Sequence, residues 1–214
     1  MRNLLGIIIS YLFIALIIVS AKFFEKSGEE TSRKYIHITL CNWWFIAMYF
    51  FDNWIWASIV PISFVIINWF SYQKGLIAVM EREKQDGPGT VYYAVTLFLL
   101  AIITFGIINK QEIGLVSTLI MGYGDGLAAV IGKIVKSTEY KVGNVTKTCA
   151  GSATMLFVSF VIISIFLVKL GIDFWYIKSL ILSLVITLIE AVSKKGTDNL
   201  TVPLTTCVIL SFMV

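Results

Sequence analysis

Few residues in this chain have the makings of chemistry, and they lie far apart. Asp125 stands in the run Met121-Gly122-Tyr123-Gly124-Asp125-Gly126-Leu127-Ala128-Ala129, well inside an apolar segment. An ionisable group in such a segment is costly and usually faces a cavity or a partner, so Asp125 reads as a functional residue. On a helix, Ala128, Ala129 and Gly132 follow it at i+3, i+4 and i+7, a strip of small residues beside the carboxylate. Gly122 and Gly126 form a GxxxG pair suited to a tight helix crossing. Alternatively, the glycines at 122, 124 and 126 interrupt the helix and bring backbone N–H groups toward a ligand.

Arg33, Lys34 and His37 open another apolar segment at a spacing that places them on one helix face. Two fixed cations and the only histidine of the chain suit a polyanion, with arginine offering a bidentate fork to phosphate oxygens. The plainer reading is a basic flank. Lys133 begins a basic connection ending in Lys147-Thr148-Cys149-Ala150-Gly151-Ser152. Lysine, hydroxyl and glycine at a helix entrance make a phosphate site, because helix N-termini attract anions, and the same letters describe a capped helix start. Glu190 lies one turn before Lys194, where a surface pair is the plain alternative to a catalytic carboxylate. In Asp198-Asn199-Leu200-Thr201-Val202-Pro203, Asp198 or Asn199 is expected to cap a last helix, with Pro203 tolerated in its first turns.

The elements that must position these groups are membrane helices. Of 214 residues 58% are hydrophobic and 14% charged, about half the charged share of an ordinary soluble domain. The mean hydropathy is +0.87. Such a chain lacks the polar surface to cover itself in water. Apolar segments are expected at 3–21, 36–51, 53–70, 90–108, 113–135, 151–169, 174–192 and 200–214, most of them near the length that spans a bilayer. The expected fold is therefore all-α, a polytopic transmembrane bundle of seven to eight helices in a single integral membrane domain, 1–214. A β-barrel would alternate, and Leu4-Leu5-Gly6-Ile7-Ile8-Ile9 does not. The first segment lacks a cleavage site and many spans follow, so it reads as a true helix and not a signal peptide. Cys41, Cys149 and Cys207 share no ligand spacing and read as plain thiols. The net charge of +4 is not a nucleic-acid signal here.

Loop charge gives the orientation. Odd-numbered loops carry Lys22, Lys26, Arg33 and Lys34, then Lys74, Arg82 and Lys84, then Lys133, Lys136, Lys141 and Lys147, then Lys194 and Lys195, against Arg2, Lys110, Lys169 and Lys178 opposite. Cytoplasmic loops are enriched in Lys and Arg, so the odd loops are expected inside and the N-terminus outside. All the chemical clusters then open toward the cytoplasmic face. Asp125 is eight residues from Lys133, roughly 12 Å along a helix and within reach of a cytoplasmic cleft. Cations and carboxylates around a lipid-accessible cleft suggest nucleotide phosphates, a divalent metal and a lipid head group. Magnesium commonly takes one or two carboxylates plus substrate phosphates.

Taken in order, Arg33-Lys34-Tyr35-Ile36-His37, Gly89-Thr90-Val91-Tyr92-Tyr93, Gly124-Asp125-Gly126-Leu127-Ala128 with Gly132-Lys133, Lys147 to Ser152, Glu190, and Asp198 to Pro203 resemble the phytol, farnesol and dolichol kinase family. These are membrane enzymes that phosphorylate long-chain lipid alcohols, and a CTP-dependent diacylglycerol kinase belongs to the wider group. The resemblance implies CTP as donor ahead of ATP, and no P-loop motif is present. It implies Mg²⁺ on Asp125, with Asp198 as a second ligand or only a cap. Arg33, Lys34, Gly124, Gly126, Lys133, Lys147, Ser152 and Asn199 are the implied nucleotide contacts, and either His37 or Glu190 takes the alcohol proton. The chain departs from the family at Ala129, where an acid is common, and at Lys136, where a glycine is common. A CTP:phosphatidate cytidylyltransferase is the alternative, although its C-terminal signature is missing. A transporter and a membrane scaffold are the alternatives from other classes.

Overall fold

The computed structural model describes residues 1–27, 29–74, 88–143, 145–194 and 196–214, with backbone alone at 25–27 and 29–30. The basic residues Arg82, Lys84 and Lys195 that entered the orientation argument, and the Lys26 side chain, lie outside the described residues.

Among the described residues six helices are long and apolar enough to cross a membrane. They are built on α1 (Arg2–Ala21), α4 (Trp54–Lys74), α5 (Gly89–Ile102), the continuous pair α6 (Gln111–Leu119) and α7 (Gly126–Ile134), α8 (Cys149–Lys169) and α9 (Trp175–Val192). A shorter apolar helix, α10 (Asp198–Met213), closes the chain. At 16 residues it rises about 24 Å, short of the roughly 30 Å hydrocarbon core. Leu12 and Leu16 on α1, Phe157 and Ile165 on α8, and Leu188 on α9 are exposed. Large apolar side chains turned outward along long helices are what lipid, not water, accepts. The chain is an all-α, multi-pass membrane protein.

The segment expected as one helix over 36–51 is instead two, α2 (Glu29–Leu40) and α3 (Trp43–Phe50), broken at Cys41 and Asn42. The Asn42 amide donates to Thr39 O at 3.0 Å and to the Tyr123 hydroxyl at 3.1 Å. That local competition for backbone carbonyls ends α2. The two pieces still return across the bundle, since Arg2 at the start of α1 donates to Phe50 O and Asn3 to the Asp52 carboxylate. Lys110 donates to Val214 O at the α6 end.

The second departure is a two-stranded antiparallel hairpin, β1 (Glu139–Val142) and β2 (Val145–Thr148), within the connection expected to be loop. Gly143 turns it at φ +59. The glycines around Asp125 do not break the helix. Residues Ile120–Asp125 form one wide π turn that joins α6 to α7, a feature that often marks functional sites.

Candidate active site

Asp125 ends the π turn, and the glycines around it decide what reaches it. A Cβ on Gly122 would lie 2.5 Å from Cys41 Cβ, and one on Gly126 would lie 2.3 Å from Ile38 Cγ1. Both positions therefore let α2 pack against the backbone of the turn. That contact brings Lys34 Nζ to 3.0 Å and His37 Nε2 to 3.3 Å from Asp125 Oδ2. His37 Nε2 also lies 3.0 Å from Met121 O. A carbonyl only accepts, so Nε2 carries a hydrogen and serves both acceptors. The Tyr93 hydroxyl donates to His37 O at 3.3 Å, and its ring meets the imidazole edge-on with centroids 5.0 Å apart. The tight glycine crossing and the buried carboxylate, weighed as alternatives in the sequence, lie in one arrangement.

A second group forms where the hairpin meets α8. Lys147 on β2 donates to the Glu190 carboxylate and, at 3.1 Å, to Glu190 O on α9. Glu190 is buried, so its partner is this lysine and not the surface Lys194. Burial opposes the Lys147 ammonium, but the Glu190 carboxylate, with Asp198 and Asp125 beyond it, holds its pKa above the usual 10.5. Gly132 and Gly151 bring α7 and α8 together, with Cβ positions 2.6 Å from Thr148 Oγ1 and 3.0 Å from Ala128 O. Thr148 caps α8 by accepting from Gly151 N. Ala150 N donates to Ser137 Oγ and Cys149 N to Thr138 O. The first three amides of α8 are thus already bonded, in keeping with the capped-start alternative for this motif. The Ser152 hydroxyl pairs with the Tyr140 hydroxyl at 2.5 Å.

A third group sits at the start of α10. Asn199 Nδ2 donates to Gly89 O at 2.9 Å, while Asn199 O accepts from Thr96 at 2.6 Å. The expected cap is corrected, because Thr197 is the N-cap and makes no side-chain cap bond. Asp198 Oδ1 accepts from Asn199 N, and Asn199 ties α10 to α5.

Two cavities meet among these groups. One is lined on its apolar part by residues such as Ile14, Ile17, Leu40, Trp43, Val60, Phe64 and Leu97. Its polar end carries Arg33, Lys34, His37, Asn68, Asp125, Asp198 and Asn199. The other is lined by Arg33, Lys34, Asp125, Lys133, Thr146, Lys147, Ser152, Glu190 and Asp198, with Ala129 and Gly132 among others. Arg33, Lys34, Asp125 and Asp198 line both.

The chain is 28% identical over 205 residues to a phytol kinase of Synechocystis sp., covering 90% of this chain and 84% of that protein. It is 28% identical over 212 residues to probable phytol kinase 1, chloroplastic, of Glycine max, covering 86% of this chain and 67% of that protein. The chain is thus similar to phytol kinases over most of its length. No family model matches it, and no solved structure does.

The residues that the phytol kinase resemblance singled out separate cleanly. Arg33, Lys34, Asp125 and Asp198 stand at the junction, His37 and Asn199 on the apolar cavity alone, and Lys133, Lys147, Ser152 and Glu190 on the polar cavity alone. Gly124 and Gly126 line neither cavity. They are packing positions, since a Cβ on Gly124 would lie 2.7 Å from Met155 Sδ and one on Gly126 would meet Ile38. Among the described residues no three His, Cys, Asp or Glu side chains gather as a metal cluster. The junction offers two carboxylates, which fits the one or two that Mg²⁺ takes alongside phosphate oxygens and water. Asn68 was missed. It is buried on α4, lines the apolar cavity and donates to Thr90 O at 3.1 Å. Its signal, a polar residue amid apolar Val65-Ile66-Ile67 and Trp69-Phe70, is the one that revealed Asp125.

Proposed function

We propose that the protein is a lipid kinase that transfers the terminal phosphoryl group of a nucleoside triphosphate to the hydroxyl of a long-chain alcohol. The observation that carries this reading is the pair of cavities sharing Arg33, Lys34, Asp125 and Asp198. An apolar cavity suits a hydrocarbon tail and a cation-rich one suits a phosphate chain. A shared polar wall is where the hydroxyl of one substrate meets the phosphorus of the other. The similarity to phytol kinases supports an alcohol of the phytol or polyprenol type, with diacylglycerol as the broader possibility. The motif resemblance supports CTP ahead of ATP as donor, and the basic odd-numbered loops support a cytoplasmic position for the site.

In the transfer, the alcohol oxygen bonds to the γ-phosphorus and the bond from that phosphorus to the β,γ-bridging oxygen breaks. A lipid phosphate and a nucleoside diphosphate result, and the hydroxyl proton is lost. Such reactions need positioning and charge neutralisation more than covalent chemistry. Lys34 and Arg33 at the junction, with Lys133 and Lys147 on the polar wall, provide that neutralisation. Asp125 and Asp198 are the residues that would hold Mg²⁺, which when bound neutralises phosphate charge. His37 commits its Nε2–H to Met121 O and Asp125, so it orients the carboxylate. In the neutral imidazole the other ring nitrogen, Nδ1, is the acceptor, and His37, on the wall of the lipid cavity, is the group assigned to take the hydroxyl proton.

Purified protein incubated with CTP or ATP and a panel of lipid alcohols tests the reading, with products identified by mass spectrometry. A monophosphorylated lipid and a nucleoside diphosphate are expected. CDP-lipid and pyrophosphate made from phosphatidate would establish the cytidylyltransferase instead. Substrate-dependent flux across vesicles without a new product would establish a transporter.

A further inference from the structure

Glu190 was one of two candidates for removing the alcohol proton, and its position argues for a different task. Its carboxylate and its backbone carbonyl both accept from the Lys147 ammonium, so one residue holds this lysine at two points. Glu190 lines the polar cavity and is absent from the wall of the apolar one. Lys147 is carried on the hairpin, a two-stranded element with little packing of its own, whereas Glu190 is buried on a membrane helix. A long lysine side chain on such an element would otherwise lose much rotamer freedom on binding a phosphate.

We infer that Glu190 is a positioning residue that holds Lys147 in the nucleotide cavity and takes no part in removing the alcohol proton. This inference rests on the kinase reading for the identity of the cavity's occupant. The hairpin is thereby clasped to α9 across the cavity mouth, and Lys147 meets the incoming phosphates already aimed. A buried carboxylate left alone is unfavourable, so the pair works as a unit and its members are expected to be strongly non-additive.

The test combines steady-state kinetics with direct titration of CTP and ATP on Glu190→Gln, Lys147→Met and the double variant. Glu190→Gln is expected to weaken triphosphate binding and raise the nucleotide KM about tenfold, leaving the lipid KM and the pH profile of kcat unchanged. On the Lys147→Met background the same change is expected to add nothing. The double variant carries neither buried charge, so it keeps the comparison available if a single variant fails to fold. A large loss of kcat with an altered pH profile and an unchanged nucleotide KM would overturn the inference, as would an equal penalty on the Lys147→Met background. If wild-type protein binds triphosphate but phosphorylates no lipid, the kinase reading fails while the titrations still decide the role of Glu190. If it binds no triphosphate, both fall.

Discussion

The Lys34 ammonium lies 3.0 Å from the Asp125 carboxylate, although 91 positions separate them in the chain. Both side chains are buried, and the contact joins α2 to the π turn between α6 and α7. This pair puts a cation and a carboxylate on the wall common to both cavities.

Lys34→Met leaves the buried Asp125 with His37 Nε2, at 3.3 Å, as its remaining partner on α2. Removing one member of a buried pair is expected to lower stability by about 3 kcal/mol. Adding Asp125→Asn should recover part of that loss, because no uncompensated charge then remains. Denaturation midpoints of the two single variants and the double variant in detergent check this. A double variant as unstable as the sum of the singles would contradict it.

Gly126→Ala places a methyl 2.3 Å from Ile38 Cγ1. Overpacking of this kind is expected to cost about 1–3 kcal/mol and to draw Lys34 and His37 away from Asp125. Ile38→Ala removes the obstructing atom, so the pair of substitutions should restore the thermal midpoint and the activity together.

Ala94→Phe fills the apolar cavity from α5, where Ala94 is part of the wall. The KM for a long-chain alcohol is expected to rise about tenfold or more, with triphosphate affinity unchanged. Competition between long and short alcohols gives the sharper readout, since the short ones should lose less. An equal effect on nucleotide binding would show that the cavities are not separate sites.

The pH dependence follows from Lys147, whose pKa in the fold lies above the ordinary 10.5. A base with a raised folded pKa contributes stability that is complete below its unfolded pKa and disappears as pH rises through the folded one. The midpoint difference between wild type and Lys147→Met should therefore stay flat from about pH 7 to 10 and shrink above that range. In Glu190→Gln the nearest carboxylate is gone and burial is less opposed, so the decline should begin at lower pH.

Asp125 was legible because a carboxylate in an apolar run has no cheap bland explanation, and Asn68 would have yielded to the same argument. The long spans were legible for a related reason, since lipid-facing helices need uninterrupted apolar stretches. The break at Cys41-Asn42 was not, because the apolar composition of 36–51 continues through it. Only the Asn42 bonds to Thr39 and Tyr123 reveal it.

Glu190 and Lys147 were each flagged but not as partners. Their meeting depends on a hairpin whose alternation over four residues per strand is too short to stand out. The glycines misled in a different way. Gly124 and Gly126 sit beside the key carboxylate in sequence, yet helix geometry turns them toward Met155 and Ile38. Adjacency along the chain said little about which cavity a residue would face.

The central claim is that phosphorus passes between the two cavities at Asp125. The most direct measurement supplies the protein in vesicles with a long-chain alcohol and a nucleoside triphosphate labelled at the γ-phosphorus, then follows the label. In wild type it should enter the lipid fraction in step with nucleoside diphosphate release. Asp125→Asn, folded and still binding triphosphate, should slow that transfer about 100-fold or more. Label recovered in pyrophosphate, or undiminished transfer by Asp125→Asn, would contradict the account.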